Sequence, residues 1–308
     1  MAGGHDRLRW GIGQRIEFIE FRLFWDGQIN RGDLIGKFDV SPPQASADIA
    51  RYLQMAPDNL RYDPYLKTYA ATHAFQPLLY EPSARQYLGD LRSIADHARE
   101  QKETWLGFVP EFAAVPAPRR RLDAGKLRWV VEAIRAKQSL CVLYQSFSRV
   151  EPLSRWVTPH ALGFDGSRWH LRAWCHEHND FRDFVLARIL EISESRHHPI
   201  DPTHDLAWNK HVSLRIGPHP KLGEKQRRVI ELDYGMEGGA LEIPIRLSMV
   251  YYFEKNMLLD EDASALTPTR VQLSLVNRVE LEKMVEVTRQ EQQELLRKVS
   301  GSAGKATE

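Results

Sequence analysis

Arginines and histidines recur at short, regular intervals along residues 155–189, RWVTPHALGFDGSRWHLRAWCHEHNDFRDFVLARI, a spacing that gathers cations on one face of a sheet. Side chains alternate across a strand. In the run 169–175, Trp169, Leu171, Ala173 and Cys175 therefore point one way, and His170, Arg172 and Trp174 the other. One face suits a core; the other offers cationic donors. Guanidinium forks match phosphate oxygens, and serine hydroxyls complete the coordination a polyanion needs. The candidate anion pocket is Tyr144, Ser146, Ser148, Arg149, Arg155, His160, His170, Arg172, Arg182 and Arg188. The competing reading pairs the arginines with Glu151, Asp165, Asp180 and Asp183 on a solvated sheet face. The strands that position these groups join at Asp165-Gly166, where glycine tolerates the positive φ of a hairpin turn.

In the second of these strands the triplet Trp169-His170-Leu171, followed by Arg182, Phe184 and Arg188, resembles the WYL-domain bacterial transcription regulators, named for a Trp-Tyr-Leu triplet. The resemblance covers nearly the whole chain. It is strongest to the WYL repressors encoded beside phage-defence operons of the BREX and CBASS kind. It implies an α+β, multidomain build: an N-terminal winged helix-turn-helix, a central small β-barrel or sheet of the Sm-like kind, and a C-terminal α/β dimerisation domain. It further implies a WYL domain that senses nucleic acid or nucleotide ligands. His170 stands where the family usually has Tyr, so an imidazole replaces a phenol.

At 308 residues, the chain is long enough for two or three cores. With 27% charged and 43% hydrophobic residues it reads as globular and cytoplasmic. No apolar run approaches the ~20 residues needed to cross a bilayer, and no signal-peptide core is seen. Cys141 and Cys175 both lie in strand-like apolar runs, which suits buried thiols better than disulfides. His176, His178, His197 and His198 have no HExxH or CxxC beside them, so neither metal nor cofactor is expected. The net charge of +1 hides an asymmetry: residues 119–188 carry 13 Lys and Arg against 7 Asp and Glu, an excess of +6. Such an excess points to an anionic partner for the middle of the chain. The first 118 residues have 13 against 15, so DNA affinity cannot be read from their charge.

Helical spacing over 14–25 and an Asn30-capped helix through Phe38 precede the turn Asp39-Val40-Ser41. Ser41 then caps a third helix with Pro42 at its first position. Ala45, Ile49, Leu53 and Tyr52 face inward, leaving Pro43, Gln44, Ser46, Ala47 and Arg51 to project. Gln can bond adenine bidentately, Ser a base or phosphate, and Arg a guanine. Two strand-like tetrads, 60–63 and 67–70, flank Pro64-Tyr65 as a wing, on which Arg61, Tyr62, Tyr65 and Lys67 could hold phosphates. Tyr69 is expected to pack instead. The DNA-contacting set is thus Ser41, Pro43, Gln44, Ser46, Arg51, Arg61, Tyr62, Tyr65 and Lys67.

The expected domains are 1–108, winged helix with a connector helix over 83–104; 109–122, a linker rich in proline and arginine; 123–207, the WYL domain; 208–300, the dimerisation domain; and 301–308, a disordered tail. A helix over 124–137, buried through Leu127, Val130, Val131 and Ile134, opens the middle domain, and 139–144 is a strand. Further on, 227–234 and 271–277 read as strands, 241–259 as helical, and a helix begins at Val279. The four tryptophans Trp129, Trp156, Trp169 and Trp174 read as packing residues.

No GxSxG or GxxxxGK[ST] loop is present. A phosphodiesterase or nuclease would have to use His160 and His170 as acid and base without an acidic metal cluster. A nucleotide-sensing adaptor is the other alternative. The expected protein is a non-enzymatic repressor, a homodimer on double-stranded operator DNA, released by a nucleotide or oligonucleotide effector, with no membrane partner. Dimerisation follows from specificity, since one winged helix reads too few base pairs for an operator.

Overall fold

The apolar spacing of the N-terminal segment builds α1 (Trp10–Asp26), which buries Ile16, Phe18, Ile19, Phe21 and Leu23. The computed structural model describes residues 10–118, 120–261 and 265–303. The chain divides into two units, Met1–Pro118 and Arg119–Glu308. In the first, β1 (Gln28–Ile29) leads into α2 (Arg31–Phe38), whose Asn30 cap accepts from Asp33 N while the Asp33 carboxylate accepts from Asn30 N. Asp39, at φ 51°, ends α2, and Ser41 accepts from Gln44 N to start α3 (Pro42–Met55). β2 (Leu60–Asp63) and β3 (Thr68–Ala71) form the expected wing hairpin, and β1 adds to β3 as a third strand that the sequence did not announce. Ile16, Ile19, Leu34, Ala45, Ile49 and Tyr52 close the core between these helices. Glu20 is wholly buried there and accepts backbone N–H bonds from Leu78, Leu79 and Tyr80 at 2.6, 2.7 and 2.7 Å. The connector is shorter than expected: α4 covers Ala84–Ala95 only, because His97 turns into the left-handed region at φ 48°.

The second unit begins with α5 (Ala124–Ala136), capped by Asp123. Its buried stripe is Val130 and Ala133, whereas Leu127 and Val131 are 36% and 49% exposed. The helix is thus rotated from the expected face. Five antiparallel strands follow: β4 (Gln138–Tyr144), β5 (Leu153–Phe164), β6 (Trp169–Cys175), β7 (Asp180–Val185) and β8 (Ile189–His197), in the order β7-β6-β5-β4-β8. The edge strands β7 and β8 do not pair, so the sheet is open rather than a barrel. Leu140, Val142, Val157, Leu171, Ala173, Cys175 and Phe184 fill its core face. Trp129 and Trp169 remain 43% and 44% exposed, and Trp169 packs on Phe164 with ring centres 4.9 Å apart.

The remainder of this unit is α6 (Leu206–Asn209), β9 (His211–Pro218), α7 (Glu224–Tyr234), β10 (Leu241–Arg246), α8 (Val250–Asn256), β11 (Leu273–Leu275) and α9 (Arg278–Ala303), with a sheet ordered β10-β9-β11. Residues 227–234 are helical rather than extended. Gln226 reaches back to Gly223 N, Gly235 ends the helix at φ 59°, and Ile230 is its buried residue. The strong helix formers around Val229-Ile230 outweigh those two β-branched residues. The stretch 241–259 divides into strand, 3-10 turn and helix, so its first part corrects the helical expectation. Of the expected tail, Gly301–Ala303 continue α9 and 304–308 lie outside the described residues.

Candidate functional site

Capping, burial and the short turn after Asp39 fix α3 so that one face is free. Ser41, Pro43, Gln44, Ala47 and Arg51 are exposed on it, while Ser46 is half-buried. The Ser46 hydroxyl donates to Pro42 O at 3.0 Å and accepts from Arg31 at 3.4 Å. Gln44 Nε2 donates to Asp48 Oδ1 at 3.0 Å, and buried Asp48 is in turn held by Arg15 at 2.6 Å. The carboxamide is therefore oriented in advance by a chain of bonds rooted in the core. On the wing Arg61, Tyr62, Tyr65 and Lys67 are all exposed, Tyr65 by 95%. The Asp63 carboxylate accepts from Tyr65 N and Leu66 N and shapes the tip, where Lys67 adopts φ 53°. Tyr69 lies partly buried against the core, its ring 5.1 Å from Tyr62.

The sheet does not gather its ten candidates into one pocket. Register sorts them onto two faces. His170 and Arg172 lie on the face opposite Leu171 and Ala173, and both are buried, at 3% and 7% exposure. Arg172 makes a bidentate pair with Asp205, Nε–Oδ2 2.7 Å and Nη2–Oδ1 2.8 Å, and reaches Asp183 at 3.3 Å. His160 Nε2 lies 2.9 Å from the same Asp205, and His170 Nε2 lies 2.8 Å from Asp165. Tyr252 of α8 donates to Asp183 at 3.0 Å and packs on the His170 ring at 4.5 Å. This face is thus roofed by the C-terminal part of the chain and its charges are spent internally. Burial would raise the Asp205 carboxyl, but the bonds from Arg172 and His160 outweigh it and hold the group below its ordinary range. Asp165 behaves likewise: burial is overcome by bonds from His170, Ser167 and Arg168. Burial, then the Asp183 charge, push the Tyr252 phenol up. His160, His170 and Arg172, three of the ten candidates for the anion pocket, are thus each bonded to a carboxylate of the chain itself. His160 and His170 are each bonded to a separate carboxylate, so the acid-base pair does not assemble either.

Tyr144 and Arg155 share the core side of the sheet with Val142 and Val157. The sheet's curl brings the Tyr144 and Phe184 rings to 5.1 Å, with the Arg155 guanidinium 5.7 and 6.0 Å from their centres. Arg155 Nη1 is 3.4 Å from exposed Glu177, to which Arg149 also extends at 4.0 Å. Arg155 Nε and Ser146 Oγ are buried with no hydrogen-bond partner among the described residues. Ser148 and Arg149 are exposed in the β4–β5 loop, and Arg188 lies over the exposed Phe147 ring at 5.6 Å. Arg182 pairs in register with Ala173, not Arg172, so it faces the core side and stands exposed at the edge. Sequence reasoning missed Asp205, Tyr252 and Glu177. Asp205 alone left a trace, since an Asp before LAWN is an N-cap signal, and its Oδ1 does accept from Trp208 N at 3.2 Å.

A winged helix ahead of a curled, arginine-bearing sheet and a separate α/β element is the build of a transcription regulator. Family models match in the same order: the BrxR transcriptional regulator winged helix-turn-helix domain over residues 11–93, the WYL domain over 125–194, and the BrxR C-terminal dimerization domain over 211–281. A protein of Stenotrophomonas maltophilia named DNA-binding transcriptional repressor CapW is 40% identical over 298 residues, 96% of this chain and 99% of that one. Proteins of the same name from Escherichia coli (40%, covering 90% of this chain and 93% of theirs) and Pseudomonas aeruginosa (39%, 92% and 95%) are also similar. The chain belongs to this BrxR- and CapW-type family of WYL-domain transcription regulators. Its domains are those of a regulator, not an enzyme.

Proposed function

We propose that this protein is a homodimeric repressor that binds a palindromic operator through α3 and the wing, and that an anionic nucleotide or oligonucleotide held by the WYL sheet releases it. The relatives named DNA-binding transcriptional repressors support the first half, together with the exposed row Pro43, Gln44, Ala47 and Arg51 on a helix anchored by Asp48. Pre-oriented Gln44 suits adenine and Arg51 suits guanine or phosphate. Tyr65 and Lys67 at the wing tip suit the neighbouring backbone. The proposed division is 1–108 for DNA, 109–122 as linker, 123–207 for the effector and 208–300 for the dimer.

The observation that carries the effector half is Arg155, nine-tenths buried with an unpartnered Nε. A buried guanidinium with an unused donor is costly unless an acceptor is supplied. Arg149, Arg182 and Arg188 stand around the same side of the sheet as further cations, which narrows the effector set to Tyr144, Ser146, Ser148, Arg149, Arg155, Arg182 and Arg188. The regulated genes are proposed to be a phage-defence operon and the site of action the cytoplasm. The experiment is a fluorescence-anisotropy titration of the full chain on DNA from upstream of its own gene, with and without 5′-phosphorylated short oligonucleotides. The wild type is expected to bind a palindrome and to release it on oligonucleotide addition. Arg155→Met should bind equally well and fail to release. Retention of the wild-type response in Arg155→Met would remove this pocket from the mechanism.

A further inference from the structure

We propose that Cys175, Glu177 and His178, at the turn between β6 and β7, form a binding site for a borderline-soft divalent transition metal of the zinc and cobalt type. Their ligand atoms already lie within 4.8 Å of one another. Thiolate, carboxylate and imidazole are the donors that such ions take, and ligands of a tetrahedral site stand roughly 3.5 Å apart. The trio must therefore close by about an ångström. Glu177 and His178 are exposed and can rotate, whereas buried Cys175 is the fixed point.

The turn itself supplies a frame. His178 N–H donates to Cys175 O at 3.2 Å, and His176 N–H donates to Trp156 O at 3.1 Å. Asn179 then takes the left-handed conformation at φ 49°, which lets β7 begin at Asp180. A Cys-x-x-His spacing closed by that bond holds both side chains over one loop, as turn-based zinc ligands require. The sequence criterion missed this because it asked for CxxC or HExxH. Three protein ligands leave a fourth position open to water.

Binding breaks the Cys175 S–H bond, forms a sulfur–metal bond and releases one proton to solvent; nothing is oxidised or reduced. Charge makes the site consequential. With the thiol protonated the trio carries −1, and with a divalent ion and thiolate it carries zero. Glu177, now lent to Arg155 and Arg149 at 3.4 and 4.0 Å, would turn to the ion and uncover both guanidiniums. The metal site needs no nucleotide, so it stands or falls separately from the effector reading.

The test is a Co²⁺ titration of the reduced, metal-free full chain without oxygen. One ion per chain is expected, with a thiolate-to-cobalt band in the near ultraviolet, ligand-field bands of a four-coordinate ion, and displacement by Zn²⁺. Glu177→Gln and His178→Ala change exposed side chains and should keep the fold by circular dichroism while weakening Co²⁺ affinity roughly tenfold or more. Cys175→Ser should lose the band. Cys141→Ser should keep it, because Cys141 pairs with Trp156 and points to the opposite face from Cys175, which pairs with Val157. Absence of a thiolate band in the wild type overturns the site. So does a band that follows Cys141, or one whose affinity is unchanged in both Glu177→Gln and His178→Ala.

Discussion

Arg172 and Arg155 lie on opposite faces of the sheet and behave oppositely. Arg172 is matched to Asp205 and Asp183 inside the protein, so removing it leaves a buried carboxylate without its bidentate partner. Arg172→Met should cost about 3–5 kcal/mol in denaturant unfolding. Arg155 has one loose carboxylate and a buried unused donor, so Arg155→Met should change stability little while ending oligonucleotide binding. A stability loss equal to that of Arg172→Met would mean that Arg155 is structural. Acid should also act through the buried carboxylates. Asp165 and Asp205 titrate lower folded than unfolded, so the stability they contribute is complete above the unfolded value of about 4 and is lost as pH falls below it toward the folded values. Asp165→Asn should therefore flatten the acid side of the stability-against-pH curve. An unchanged slope would show that its bonds to His170 and Arg168 contribute nothing to folding.

At the scale of elements, α3 depends on its cap and on the bonds beneath it. Ser41→Ala removes the acceptor for Gln44 N and should cost about 1 kcal/mol of stability. Gln44→Ala should leave stability nearly unchanged but weaken operator binding by about 1–3 kcal/mol, read from a gel-shift titration. Equal binding by both proteins would exclude Gln44 from base contact. Glu20 ties α1 to the segment after the wing through three backbone donors, so Glu20→Ala should destabilise the unit by about 3 kcal/mol. These effects differ in kind: one loosens a helix end, one removes a proposed base contact, one orphans a loop.

For the whole molecule, the proposed function assigns the dimer the task of turning a short helix, α3, into an operator-grade reader. A full palindrome should bind the full chain at least roughly a hundredfold more tightly than a half-site of equal length. Equal affinities would leave no role for dimerisation in DNA binding. The contact between α6, α8 and the sheet also bears on how the C-terminal part is tested. Because Tyr252 bonds Asp183 and packs on the His170 ring, cutting the chain near residue 208 would uncover that face as well as remove the C-terminal part proposed to dimerise. Intact chains with altered operators are the cleaner comparison.

Local chemistry made the caps and turns of this protein legible. Asn30 and Ser41 as caps, Pro42 at a first position, and the Asp165-Gly166 turn act within a few residues, so propensity and capping decide them without help. The period-2 pattern of residues 169–175 likewise separated Leu171, Ala173 and Cys175 from His170 and Arg172, and the Trp169-His170-Leu171 triplet pointed to the family. The fate of the second face lay beyond that reach. Alternation states which residues share a face; it does not state what covers it. Asp205 lies 33 positions from Arg172, and Tyr252 lies 69 from Asp183, so the pairing that spends these charges belongs to long-range packing. Register across β6 and β7 decided the rest, placing Arg182 beside Ala173 and Asp183 beside Arg172, since a shift of one residue exchanges every side chain between the faces.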